Sequence, residues 1–327
     1  MSDWRIHDTA VSHFVESSDE DGLRLHLRMR APADKDPLDC TPVLLVHGAT
    51  YASPLYDVAH PGASWLQAIA DAGFASYAID IRGYGKSRSH LMETAARPYA
   101  TGDQALRDID DAVNWLTARH GVSRIALGGG SWGSITTARY AATAGREKVE
   151  RLVLYAPIYA ERNQGWLTLL ADPADPSRIN PAFGAFRWVN EESTRLRWDE
   201  ESPPGVTRRD DAVLTAMFQA SLADDPSSAG RTPPAFRAPN GTFLDLWEAF
   251  NGRALYDPAA ITCPVLLLRG GADLTSTRSD ALALFDRLGT QCRHYVEIAD
   301  GGHFVSAEVR APQVFAETNA FLNLEAP

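Results

Sequence analysis

The chain has 327 residues, 45% of them hydrophobic and 22% charged, the balance of a globular protein rather than a disordered one. Forty-two acidic against 31 basic side chains leave a formal charge of −11, the wrong sign for a protein whose main partner is a phosphate backbone. Its longest apolar strings are strand-sized, far short of the roughly 18 residues that a membrane-spanning helix needs.

Residues 1–29 alternate loosely and offer antiparallel strands for one edge of a sheet. Six short apolar runs follow, each ending in glycine or a turn residue: 42–46, 75–81, 124–127, 149–155, 264–268 and 293–298. Such continuous runs are expected of parallel strands buried on both faces. Helical patterns separate them at 64–72, 103–119, 134–144, 278–288 and 311–322. In the second of these, Ala105, Ile109, Ala112, Val113 and Leu116 share one face. Strand alternating with helix predicts a mostly parallel, doubly wound α/β sheet.

The alternation stops between about 158 and 253, where nine prolines cluster and no strand-like run stands out. Four of the eight tryptophans, Trp166, Trp188, Trp198 and Trp247, fall here. A structureless loop of that length is improbable in a compact domain. The expected organisation is therefore a core in two parts, residues 1–157 and 256–327, with a largely helical cap inserted at 158–255.

Chemistry concentrates in Gly129-Gly130-Ser131-Trp132-Gly133. This is G-x-S-x-G at a predicted strand–turn–helix junction, where a tight turn lifts the serine Oγ out of the sheet edge. Chance alone supplies ~0.1 such matches in a chain of this length. Gly128-x-Gly130-x-x-Gly133 also fits a dinucleotide fingerprint, but the next strand ends Leu154-Tyr155-Ala156-Pro157 without the required acid. Gly85-Lys86-Ser87 lacks the first glycine of a phosphate loop, since Asp80 stands there.

A serine nucleophile needs a base and a group to orient it. Asp273 follows the fifth predicted strand in Arg269-Gly270-Gly271-Ala272-Asp273, and His303 follows the sixth in Gly301-Gly302-His303. Both belong at the carboxyl edge of the sheet, with Ser131. Asp80 and Asp300 compete for the acid's role; Asp80 better suits holding its own turn, and Asp300 capping the loop before His303. For the oxyanion, the candidate donors are the backbone N–H groups of Trp132 and of Ala49, in His47-Gly48-Ala49-Thr50-Tyr51. His47 is expected to brace that loop. No histidine pair has metal-ligand spacing, and no cofactor is expected.

Together with Leu45-Val46-His47-Gly48 and Asp80-Ile81-Arg82-Gly83-Tyr84-Gly85-Lys86-Ser87, these residues resemble the α/β-hydrolase fold superfamily from about residue 42 to 321. The resemblance implies that fold, a Ser131–His303–Asp273 triad and a cap over the site. The elbow Gly129–Ser134 looks like that of proline iminopeptidases, whose oxyanion loop is His-Gly-Gly-Pro-Gly; here it is His47-Gly48-Ala49-Thr50. Epoxide hydrolases and haloalkane dehalogenases of this fold use an aspartate nucleophile, against which Ser131 argues.

The expected function is hydrolysis of a carboxylic ester, thioester or lactone through an acyl-enzyme. An amidase or peptidase, a carbon–carbon bond hydrolase with the same triad, and a non-catalytic small-molecule binder stand as alternatives. Tyr51, Trp166, Trp188, Trp198 and Trp247, with Phe183, Phe186 and Phe250, are candidates for the substrate pocket, against the ordinary alternative of packing. Glu191, Glu192, Asp199, Glu200 and Glu201 would suit a substrate ammonium, and Arg187, Arg195 and Arg197 a carboxylate; solvated faces are the commoner fate of such residues. The opening Met1-Ser2-Asp3-Trp4-Arg5 has no basic and apolar leader pattern. Cys40, Cys263 and Cys292 fit neither a disulfide framework nor a zinc site. A cytoplasmic protein with a small-molecule substrate is expected, without a nucleic-acid or membrane partner; a homodimer remains open.

Overall fold

Apolar sequence becomes a buried sheet. In the computed structural model, which describes residues 10–200 and 202–325, strands β1 (Val11–Glu16), β2 (Arg24–Arg30) and β3 (Pro42–Val46) lead to helix α1 (Trp65–Asp71) and strand β4 (Ala75–Ile79). Helices α2 (His90–Thr94) and α3 (Gly102–His120), strand β5 (Ile125–Gly130), helix α4 (Trp132–Ala142) and strand β6 (Val149–Tyr155) complete the first part. The opening residues read for a leader, and Glu201, lie outside the described residues.

Every residue of β3, β4 and β5 is buried, as continuous apolar runs require. Helix α3 buries the predicted stripe of Ala105, Ile109, Ala112, Val113 and Leu116. A capping box between Thr101 and Gln104 starts this helix, and Gly121, at φ 64°, ends it.

Between β6 and the strand that follows it in the main sheet lies the insert. It holds α5 (Gln164–Leu170), β7 (Ala171–Asp172), β8 (Asp175–Ile179), β9 (Phe186–Asn190), α6 (Glu191–Asp199), α7 (Asp211–Asp224), β10 (Ala235–Pro239) and α8 (Thr242–Phe250). The strands correct the expectation of a stretch without any. They form two separate antiparallel ribbons, β7–β8 and β9–β10, and each hides from a sequence reading for a physical reason. Asp175-Pro176-Ser177-Arg178-Ile179 is polar and largely exposed, and β10 follows Pro233-Pro234 and ends at Pro239, residues that normally mark breaks.

The chain then resumes with β11 (Val265–Gly270), α9 (Arg278–Arg287), β12 (Arg293–Ile298) and α10 (Ala311–Leu322). The main sheet has eight strands in the order β1-β2-β4-β3-β5-β6-β11-β12. Its six strands from β4 to β12 are parallel, while β1 and β2 run antiparallel at one edge. From β3 the chain moves outward to β4, then returns to the other side through β5. Crevices outside the carboxyl ends of the strands at such a reversal are where open α/β sheets hold ligands.

No helix among the described residues is long and apolar enough to cross a membrane.

Candidate active site

Ser131 stands between β5 and α4 with φ 56° and ψ −120°, a left-handed conformation that costs a non-glycine residue about 1–3 kcal/mol. Neighbouring hydrogen bonds impose it. The Ser131 N–H donates to Tyr155 O at 2.9 Å, and Ser134 donates to Ser131 O through its N–H (2.8 Å) and its Oγ–H (2.6 Å). Two glycines make the turn sterically feasible: a Cβ on Gly129 would collide with Gly133 O, and one on Gly133 with the carbonyls of Val46 and His47.

His303 lies in the loop after β12, its Nε2 2.9 Å from Ser131 Oγ and its Nδ1 2.8 Å from Asp273 Oδ2. A carboxylate only accepts, so Asp273 places the ring proton on Nδ1 and leaves Nε2 to accept from the serine. Asp273, 2% exposed, is itself fixed: its Oδ1 accepts the N–H groups of Thr275 and Ser276 at 2.8 Å each, and Arg269 Nη2 donates to its main-chain carbonyl at 2.9 Å. Tyr155 Oη–H holds the His303 carbonyl at 2.6 Å, and burial pushes this phenol's pKa well above its ordinary value. Strand ends thus bring together three residues separated by up to 172 positions.

The rival acids sit elsewhere. Asp80 is fully buried, bonding His26 Nδ1 (2.8 Å) and the N–H groups of Ser53 (2.8 Å) and Lys86 (3.1 Å). Burial by itself would raise its pKa, but His26, the Ser53 N–H and the charge of Arg28 hold it far below the usual carboxylate range. It organises its own turn. Asp300 is a solvent-exposed loop residue at φ 59°.

Gly48 packs on the serine so closely that a Cβ there would lie 3.1 Å from Ser131 Cβ. His47 braces this loop: its Nδ1–H donates to Gly48 O at 2.7 Å, while its Nε2 accepts the Ile81 N–H at 3.1 Å. Burial lowers the imidazole's pKa and so favours the neutral ring this arrangement needs. Gly48 O and the Ala49 N–H belong to one planar peptide, so fixing the carbonyl aims the N–H the other way. The same logic applies to Ser131 O, held by Ser134, and the Trp132 N–H. Neither amide, Ala49 or Trp132, donates to an acceptor among the described residues.

These groups face a cavity open to a water-sized sphere over about 40 Å³. Its walls include Tyr51 and Phe304 from the core, and Trp166, Arg197 and Leu246 from the insert. Trp198 does not line it but stacks on Phe304 at 4.9 Å between ring centres and meets Tyr51 edge-on at 6.2 Å. Phe250 stacks behind Trp166 at 5.4 Å.

Four of the aromatic candidates are not at the cavity. Trp188 is a half-exposed ring on β9, covered by the Arg231 guanidinium at 3.5 Å, and Trp247 lines a separate groove between α5, the β7–β8 ribbon and α8. Phe183 packs on Phe243, and Phe186 on Trp188. The charged candidates also divide. Arg195 pairs with Glu191 and Asp211, and Arg209 with Asp199, all away from the cavity walls. Glu192 is exposed. Arg197 reaches the cavity, bonded to Thr275 Oγ1 (2.9 Å) and paired with Glu200 (3.0 Å).

Two further residues reach the site in roles the sequence did not signal: it offers Arg187 only as a partner for a substrate carboxylate, and Asp245 not at all. Arg187 donates to Ala49 O (2.9 Å) and Thr50 Oγ1 (3.0 Å), and Asp245 Oδ2 accepts the Trp132 indole Nε1–H at 2.7 Å. Neither has a motif, because each contact joins residues more than 110 apart.

Comparison with known proteins places this arrangement. A haloalkane dehalogenase of Mycolicibacterium paratuberculosis is 27% identical over 223 residues, 67% of this chain and 63% of that protein. The chain thus matches less than two thirds of that relative's length. Among solved structures, a serine hydrolase involved in carbazole degradation superposes with a TM-score of 0.64 at 17% identity, covering 97% of this chain and all of the other. Bromoperoxidase from Bacillus anthracis gives 0.63 at 17% identity, covering 96% of this chain and 100% of its own. The family described as alpha/beta hydrolase fold matches residues 41–308. With its parallel sheet, its serine between β5 and α4, and that match over most of its length, the chain belongs to the α/β-hydrolase fold family.

Proposed function

We propose that this protein is a serine hydrolase of carboxylic esters, thioesters or lactones. The observation that carries the reading is the continuous hydrogen-bonded relay from Ser131 Oγ through His303 to buried Asp273, opening into a cavity. In this mechanism Ser131 Oγ attacks the acyl carbon while His303 Nε2 takes its proton. Asp273 holds the ring's tautomer and stabilises the imidazolium. Oxyanion charge develops toward the Ala49 and Trp132 amides, which have no other acceptor among the described residues. His303 returns the proton to the leaving alcohol or thiol, then activates water to free the acid. Halide displacement in this fold needs a carboxylate where Ser131 stands, so the dehalogenase's name does not extend to this chain's chemistry.

Here the insert acts as a cap, since Trp166, Arg197 and Leu246 supply cavity walls opposite the sheet's carboxyl edge. So small a space favours short acyl groups. Cys40, Cys263 and Cys292 are unpaired, which supports a reducing, cytoplasmic setting.

The test is labelling by a fluorophosphonate probe of wild type, Ser131→Ala and His303→Ala, followed by a panel of short-chain esters, thioesters and lactones. Labelling of wild type alone, with turnover on that panel, is expected. A folded wild type that neither labels nor turns over any of them would overturn the proposal in favour of a ligand-binding protein.

A further inference from the structure

Two contacts from the insert end on the two residues that supply the oxyanion amides. On one side, Arg187 of β9 reaches the loop after β3. Its Nη2 donates to Ala49 O and Thr50 Oγ1, and its Nη1 to Pro239 O (3.2 Å) and Asn240 Oδ1 (3.1 Å). Its guanidinium lies 4.4 Å from the Phe243 ring centre. No carboxylate among the described residues pairs with it. Arg187 is half-buried, and a cation drawn partly out of water without a counter-charge is costly, which is unusual for a merely structural arginine. Tyr84 Oη donates to the same Ala49 carbonyl at 2.8 Å. The Ala49 amide is thus bracketed: His47 fixes the peptide plane before its Cα, and Arg187 with Tyr84 the plane after.

On the other side, Asp245 of α8 accepts the indole N–H of Trp132, whose backbone amide is the second donor. Both side chains are buried. The carboxylate also fills the space beside Gly102, the first residue of α3, where a Cβ would meet it. It therefore joins the insert, the core helix α3 and the first turn of α4.

We propose that Arg187 and Asp245 are positioning residues through which the insert sets the two oxyanion amides in register, so that the oxyanion site is complete only when the insert is seated on the core. Arg187 adds a second effect, because a positive charge bonded to the Ala49 carbonyl polarises the oxyanion loop in the direction that favours negative charge there. The inference rests on the serine-hydrolase reading. Its distinctive consequence is that damage falls on the transition state rather than on substrate binding.

The experiment compares wild type with Arg187→Met, Arg187→Lys and Asp245→Ala on a short-chain aryl ester. It also measures inhibition by a trifluoromethyl ketone, whose tetrahedral adduct carries the oxyanion. Full loss of one oxyanion donor costs about 10²–10³ in kcat, and displacement of a donor should cost less. We expect kcat to fall about 10–100-fold in Arg187→Met with KM changed less than about threefold, and the ketone's inhibition constant to rise in parallel. Arg187→Lys, which keeps the charge but not the fork, should recover part of the loss, and Asp245→Ala should lower kcat about tenfold. Arg187→Met at wild-type kcat, or a loss confined to KM, overturns the proposal. Should that variant fail to fold, wild-type kcat in both Arg187→Lys and Asp245→Ala overturns it equally. A wild type that neither hydrolyses the ester nor binds the ketone removes the underlying reading instead, and this inference with it.

Discussion

The sheet and the insert obey different rules. In the sheet, position follows from local sequence: an apolar run becomes a strand, its glycine-rich end becomes a turn at the carboxyl edge, and three such ends carry Ser131, Asp273 and His303. In the insert, position follows from contacts between distant residues. Trp198 is placed by stacking on Phe304, Arg187 by oxygens on the loop after β3, and β10 by pairing with β9. One region can be read along the chain, whereas the other becomes legible only when folded.

The largest expected effect lies on the sheet side of this contrast. Ser131→Ala should lower kcat by about 10⁴-fold or more on any ester the wild type cleaves, with a melting temperature at or above that of the wild type. An alanine that kept turnover would mean that the strand ends assemble a structure and no chemistry.

Next comes Gly133→Ala. The added methyl group would strike the carbonyls of Val46 and His47, backbone atoms of β3 and its loop that have nowhere to go. A loss of at least about 3 kcal/mol in chemical denaturation is expected. A loss below 1 kcal/mol would show that the elbow tolerates looser packing than its geometry implies.

In the insert, Trp198→Ala removes a buried ring that backs the cavity wall. Stability should fall by about 3 kcal/mol. If denaturation is biphasic, the insert unfolds separately from the sheet; a single transition means the two regions share one cooperative unit.

Asp245 sharpens the comparison through pH. Burial is the main cause that raises its carboxyl from 3.8 to about 6. Between those values the folded chain holds more proton than the unfolded one, so this group's contribution to stability declines as pH rises and its full cost is present above pH 6. Asp245→Asn, which keeps an acceptor for the indole, should therefore be more stable than wild type at pH 8 by about 1–2 kcal/mol. The advantage should shrink toward pH 4. A pH-independent difference, read by thermal melts across that range, would mean the carboxylate is better stabilised than its burial indicates.

The smallest effect belongs to Trp188→Ala. The ring is 37% exposed and outside the cavity walls, so kcat and KM should stay within about twofold. A marked change in KM for bulky esters would bring β9's outer face into the substrate path.

These regions also explain what the sequence disclosed. The six apolar runs, the G-x-S-x-G turn and the two acid and histidine loops could be read because each owes its structure to neighbours within a few residues. Asp273 could be preferred over Asp80 because the penultimate strand precedes it, and the relay to His303 has the expected geometry. Strands β8 and β10 could not be read: one is polar, and the other follows two prolines and ends in a third. Nor could the aromatic candidates be sorted. Trp166 and Trp188 look alike in the sequence, and only the packing of α5 and β9 sends one to the cavity wall and the other toward solvent. Arg187 was legible only as one charge among several; the oxygens it bonds come from four separate residues.

The narrowness of the cavity has a consequence in time. Trp166, Arg197 and Leu246 of the insert leave about 40 Å³ to the centre of a water-sized sphere above Ser131. Where a substrate's acyl group exceeds the room these three walls leave, admission takes a displacement of the insert, a motion of the microsecond-to-millisecond class for lids and loops. Competing substrates would then be sorted by how quickly they are admitted, before their relative affinities can matter. A slow inhibitor could bind very tightly and still lose to a small ester that slips through first.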